Sequence, residues 1–223
     1  LHHQYNKTAR DIWHRFAGDY RTHPGMTLFP MQRHAFAAKP DLLLVGMNPS
    51  FAFRARDIMR RHLRWRDAPE SVIQQFTEEE AAAREHYRVF YGPQLRFKEA
   101  VAAHTLEHLD LLPIRHTSQA EVVHAYWDKQ GHPHAITQAC FELFKETLLA
   151  LAPTVVVVAN AEASRQVRRI LPLQPVKVGR DYGWPAMPHT TFFLSGMLSG
   201  QRALDEFSRA RLEADVRSVL HPP

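Results

Sequence analysis

The run TVVVVA, residues 154–159, is dense in valine and shows no polar alternation, the pattern of a strand buried on both faces in a parallel sheet. Three other short runs read the same way: DLLLVG (41–46), LDLLPI (109–114) and TTFFLS (190–195). Helical periodicity fills the intervals. ESVIQQFTEEEAAAREHYRVFY covers 70–91, and HAITQACFELFKETLLALAP covers 134–153 with Phe141, Phe144, Leu148 and Leu151 on one face. AEASRQVRRIL covers 161–171, and RALDEFSRARLEADVRSVL (202–220) sets Leu204, Phe207, Leu212, Val216 and Leu220 near a common face. A further helix is expected from Asn6 to Ala17. Strands separated by helices imply right-handed crossovers and a sheet covered on both sides. The expected fold is therefore α/β: a three-layer α/β/α sandwich with a central, mainly parallel four-stranded sheet built from 42–46, 109–112, 154–158 and 190–194. QPVKVG (174–179) is either a further strand or a loop before DYGWPAMPHT.

With 45% of its 223 residues hydrophobic and 23% charged, the chain can build one sizeable core, so a single domain over 1–223 is expected. Lys and Arg outnumber Asp and Glu by 28 to 23, which favours an acidic partner. Fifteen histidines add positive charge below about pH 6.5. Cys140 is the only cysteine, which excludes an internal disulfide and a four-cysteine iron–sulfur or zinc site. No apolar run approaches the roughly 20 residues that cross a bilayer, and the N-terminus lacks a signal peptide's apolar core. A cytoplasmic monomer with no membrane contact is the expectation. His132, His134 and His189 lack a metal-ligand spacing, so neither a metal nor a cofactor is expected.

Ligands of such folds bind beyond the carboxyl ends of the strands. Three of the four ends carry polar or special residues: Asn48, the segment Asp110 to Arg115, and the segment Ser195 to Arg202. Each has two readings. GMNPS (46–50) is either an ordinary turn, since all its polar and small residues favour turns, or a device that holds up Asn48. It lacks the spacing and the Lys-Ser/Thr ending of a phosphate loop. Asp110, inside an apolar run, is either a paired structural acid or a ligand contact. SGMLSGQR (195–202) is a capping turn or a set of N–H groups before a helix that can bind an anion.

In this order the three segments resemble the motifs of the uracil-DNA glycosylase superfamily, and the similarity of plan covers most of residues 40 to 220. GMNPS looks like the first motif, a Gly-x-Asp/Asn-Pro turn, in the version of the mismatch-specific and single-strand-selective branches. LSGMLSGQR resembles the second motif through Leu198, Ser199 and Arg202, and LDLLPIR resembles the base-reading strand end with Asp110 at the usual Asn position. The resemblance implies a DNA-binding enzyme of DNA repair that hydrolyses the N-glycosidic bond of a deaminated or damaged base. Such cleavage leaves an oxocarbenium-like sugar and an anionic base, so it needs a positioned water, an oxyanion stabiliser and a reader of the extruded base. On this reading Asn48, Ser195 and Ser199 serve catalysis. Met47, Phe51, Phe53, Asp110 and Leu194 border the base, and Ser50, Arg115, Gly200 and Arg202 meet the DNA. Phe51 and Phe53 either stack on the base or pack the turn.

Two departures weigh against a classical uracil specificity. Leu194 stands where the family has His or Asn, and leucine donates no hydrogen bond to the leaving base. Asp110 replaces Asn, and an ionised carboxylate only accepts, so it repels the O4 of uracil and suits a donor-bearing base edge. After the turn, FRARDIMRRHLRWRD (53–67) carries six arginines and Trp65. With Arg54, Arg60, Arg61 and Arg64 it reads as a phosphate-contacting arm, against the alternative of a solvated helix face offset by Asp57 and Asp67. Two other functions compete: a relative that recognises altered DNA without hydrolysis, which Leu194 favours, and an unrelated nucleotide or small-molecule enzyme on a doubly wound sheet. Salt-dependent DNA affinity separates the last from the others, and base release separates the first two.

Overall fold

The computed structural model describes residues 1–20, 36–49, 88–114, 118–177, 181–198, 200 and 203–222. Its described elements are α1 (His2–Tyr20), β1 (Leu42–Gly46), α2 (Arg88–Ala100), β2 (Leu106–Asp110), α3 (Gln119–Tyr126), α4 (Ala135–Leu151), β3 (Val155–Ala159), α5 (Ala161–Ile170), β4 (Gln174–Lys177), β5 (Asp181–Trp184), β6 (Met187–Ser195) and α6 (Glu206–Leu220). The fold class is α/β, and six strands form one sheet in the order β2-β1-β3-β6-β5-β4.

The valine and leucine runs form the middle of that sheet. β1 and β6 flank β3 in parallel, Leu44 opposite Val157 and Val157 opposite Phe193. At the edge, Leu42 N donates to Thr105 O at 3.2 Å, so β1 and β2 start side by side and run the same way. Leu42, Leu44, Val155, Val157 and Phe193 share one face with Phe97, Val101, Leu198 and Val216. Leu43, Val45, Val156, Val158 and Phe192, which alternate with them, are equally buried on the other face. Burial on both faces is why these runs show no polar alternation.

Three expectations need correction. The sheet has six strands rather than four, because QPVK and DYGW pair antiparallel to each other and to β6. The second strand is Leu106–Asp110, earlier than 109–112: an edge strand tolerates Glu107 and His108, whereas Leu111 and Leu112 are buried beyond its end. Phe207 does not share the buried face of α6 but is 85% exposed in its first turn, while Val216 is buried. The helix expected at 70–91 is described only from Arg88, and continues to Ala100.

The chain divides into two compact units, Leu1–Phe36, Asn48–His86 and Asp110–Thr147 in one, and Ala37–Met47, Tyr87–Leu109 and Leu148–Pro223 in the other. In the first, Ile136, Cys140, Phe141 and Phe144 of α4 are buried, and the Trp127 ring meets that of Phe141 at 6.1 Å. Thr137 Oγ1 and His134 N both donate to Tyr126 O, at 2.7 and 2.9 Å. They fasten the start of α4 to the end of α3. The second unit holds the body of the sheet with α2, α5 and α6. No helix among the described residues is long and apolar enough to cross a membrane.

Candidate functional site

β1 ends at Gly46, and the next residue, Met47, is buried. Asn48 follows half-buried, and its Nδ2 donates to Pro49 O at 3.2 Å. This local bond orients the amide, and buried Pro49 fixes the backbone behind it. Asn48 belongs to the same unit as Asp110, the last residue of the neighbouring strand β2. Asp110 is only 4% exposed, with Leu111, Leu112 and Ile114 buried after it. A carboxylate so placed is tolerated only when paired or neutral.

β2 carries polar residues that sequence reasoning missed. Glu107 Oε1 accepts from Ala37 N at 2.8 Å. His108, which shares a face of the strand with Asp110, places Nδ1 3.3 Å from Oε1 of buried Gln94 on α2. The alternating text LEHLD was the available signal.

The end of β3 is used by the fold itself. Asn160 Oδ1 accepts from Glu162 N and Ala163 N at 2.9 and 3.0 Å, capping α5. An asparagine directly before AEAS was a readable capping signal.

At the end of β6, Leu194 lies opposite Val158 and Ser195 opposite Ala159. Both are half-buried. Ser164 Oγ donates to Ser195 O at 3.0 Å, so that carbonyl anchors α5 to the strand end. The following loop closes on itself: Leu204 N donates to Met197 O at 2.8 Å and Ala203 N to Gly200 O at 3.1 Å. Gly200 has φ +86°, a conformation that suits glycine. A Cβ on Gly196 would come within 3.0 Å of Leu204 Cδ2, so the loop approaches that side chain closely. Leu198, which the resemblance sets in the second motif, is buried in the core.

The helix N-terminus after this loop is occupied by the chain's own carboxylate. Asp205 Oδ1 accepts from Ser208 N at 2.9 Å, and Oδ2 accepts from Ser208 Oγ at 2.6 Å. The Ser208 hydroxyl and N–H hold Asp205 below the usual carboxylate value. Asp205 is therefore the N-cap of α6.

Of the residues singled out from sequence, Met47, Leu194, Ser195 and Gly200 fall in the unit that holds the sheet, and Asn48 and Asp110 in the other. Ser50, Phe51, Phe53, Arg54, Arg60, Arg61, Arg64, Arg115, Ser199 and Arg202 lie outside the described residues. His132 sits in a loop where Asp128 Oδ1 accepts from His132 N at 2.8 Å and Oδ2 meets His132 Nδ1 at 3.0 Å. Among the described residues no three His, Cys, Asp or Glu side chains gather as metal ligands would. No protein-family model matches the chain, and no curated protein matches it.

Proposed function

We propose that the protein is a DNA-binding N-glycosidic hydrolase on a three-layer α/β/α domain, a cytoplasmic monomer that removes a deaminated or damaged base. The observation that carries this reading is the pairing of strand ends: Asn48, with its amide oriented by Pro49 O, follows β1, and buried Asp110 closes the adjacent β2. Asn48 orients the attacking water through its side-chain oxygen, since an amide is too weak a base to deprotonate it. Asp110, as an acceptor, selects a base edge that offers an N–H, or reads uracil only when protonated. Ser195, Ser199 and the N–H groups as far as Gly200 serve the leaving base and the flanking phosphate. Met47, Phe51 and Phe53 border the base; Ser50, the arginine arm, Arg115 and Arg202 meet the backbone.

Leu194 favours a second reading, a protein that recognises altered DNA without cleaving it. Half-buried opposite Val158, it brings no hydrogen-bond donor to the strand end. One experiment separates the two. Oligonucleotides bearing uracil, hypoxanthine or xanthine are incubated with the protein and assayed for abasic sites. Release of one base supports the hydrolase; tight lesion-selective binding with no abasic product supports the second reading. Neither release nor selective binding rejects both.

A further inference from the structure

The hydroxyl of Ser164, half-buried near the start of α5, does not serve its own helix. A serine inside a helix commonly bonds the carbonyl one turn back. Here Asn160 O is taken by Ser164 N at 2.8 Å, and Asn160 Oδ1 already caps the helix by accepting from Glu162 N and Ala163 N. Ser164 Oγ reaches instead to two strand carbonyls, Ser195 O at 3.0 Å and Val158 O at 3.3 Å. These lie on neighbouring strands: β3 and β6 run parallel, with Val158 opposite Leu194 and Ala159 opposite Ser195. A hydroxyl has one hydrogen to donate, so Ser164 sits at the junction where both strands end, closer to the β6 carbonyl. Further contacts hold the chain beyond this point. Met197 O accepts from Leu204 N at 2.8 Å, Leu198 is buried in the core, and a Cβ on Gly196 would crowd Leu204 Cδ2 at 3.0 Å.

We propose that Ser164 is a positioning residue, whose bond to Ser195 O presets the end of β6 and the first residues of its loop, Gly196 to Leu198, before any substrate arrives. It rests on the function proposed above for the reaction that this loop serves. A trans peptide is planar and no cis bond occurs among the described residues, so a fixed Ser195 O also fixes the Gly196 N–H, which points to the opposite side. That N–H is one of the groups assigned above to the leaving base. Leu194 brings no donor to this strand end, which leaves backbone N–H groups, and these stabilise charge best when they are aimed before the reaction. A simple tether of α5 to the strand it follows would use Val158 O alone. The shorter bond goes to the strand that carries the loop. Ser164 touches no substrate on this reading; it acts through Ser195.

The test compares the full wild-type chain with Ser164→Ala and Ser164→Thr on oligonucleotides bearing uracil, hypoxanthine or xanthine, each variant checked by thermal melting. Ser164→Cys, which keeps the volume but donates weakly, takes the place of an alanine variant that does not fold. Two readouts are followed: single-turnover base release against oligonucleotide affinity, and exchange of the Leu204 amide, which donates to Met197 O, with no DNA present. Ser164→Ala should slow release about five- to tenfold, the worth of one hydrogen bond, while affinity changes less than about twofold. It should also speed Leu204 exchange, and Ser164→Thr should restore both. Release at the wild-type rate in Ser164→Ala, or slowed release with unchanged Leu204 exchange, overturns the positioning role and leaves the hydrolase reading standing. If the wild type binds lesions selectively but releases no base, the hydrolase reading fails and selectivity becomes the readout. A lower ratio of lesion to undamaged affinity in Ser164→Ala then supports the positioning role, and an unchanged ratio overturns it. A wild type that neither releases nor selects overturns both.

Discussion

Asp41 and Thr105 hold each other twice: Asp41 N donates to Thr105 Oγ1 at 2.8 Å, and Thr105 N donates to Asp41 Oδ2 at 3.0 Å. The same carboxylate oxygen accepts from His104 N at 2.7 Å, so one side chain binds the starts of β1 and β2 together. Burial opposes ionisation here, but the N–H groups of Thr105 and His104, the Thr105 hydroxyl and the His104 charge outweigh it and hold Asp41 below the usual carboxylate value. A folded pKa depressed below the unfolded one contributes stability that is present above the unfolded value, near 4, and is lost as pH falls through the lower folded value. Asp41→Asn should therefore flatten the acid limb of stability against pH in urea melts. Asp41→Ala should cost about 1–2 kcal/mol at neutral pH. An acid limb identical to wild type in Asp41→Asn would remove Asp41 from this role.

Ala102 and Ala152 follow the ends of α2 and α4 with φ of +55° and +45°, in the left-handed region where a Cβ is strained. Replacing either with glycine should stabilise the protein by about 0.5–1 kcal/mol, measured as a shift in the urea midpoint at constant m. The comparison substitution Ala100→Gly, at the last helical residue of α2, should destabilise instead.

Cys140 is buried in α4, and desolvation pushes its thiol up to about 12. A thiol-specific aromatic disulfide should react only as fast as the protein opens, and fully in denaturant. Because the unfolded thiol ionises near pH 8.5, this group's contribution to stability is complete below that pH. It declines as pH rises toward the folded value. Cys140→Ala should remove that alkaline slope, and rapid stoichiometric labelling of the native chain would contradict the burial.

If Asn48 orients the attacking water, Asn48→Ala should slow single-turnover base release at least about tenfold, some 1.4 kcal/mol of transition-state stabilisation, while oligonucleotide affinity changes much less. Leu194→His or Leu194→Asn should raise the rate if the leaving base lacks a donor. A release rate indifferent to Asn48→Ala, with a substrate in hand, would end its catalytic role.

How far the text of the chain reveals the fold depends on which surfaces each segment buries. TVVVVA and DLLLVG were legible because both of their faces are covered, and so was the stripe of Phe141, Phe144, Leu148 and Leu151, all buried as the period implied. β2 was misplaced by three residues because an edge strand admits Glu107 and His108, and the apolar letters continue past its end into buried Leu111 and Leu112. QPVKVG stayed open between strand and loop because all four residues of β4 are exposed, leaving no apolar pattern to decide it. Phe207 fits a helical period on paper, yet nothing in sequence says that the core ends before that turn. At the strand ends, residue type revealed Asn48 and Asp110 as polar groups after apolar runs. Asn160 before AEAS carried a readable capping signal, whereas the 2.9 Å bond from Ser208 N that commits Asp205 to its cap is a matter of coordinates.

Pro175 gives the outer margin of the sheet a further property. It lies opposite Tyr182 in β4, and the pairing shifts register between Pro175 and Lys177. Proline offers no N–H, so a strand arriving from a second molecule would meet a missing rung, then a displaced one, then an ammonium group. Sheet-to-sheet polymerisation is thereby discouraged at this exposed edge strand, and Pro175→Thr should bring faster thermal aggregation with little change in the melting temperature.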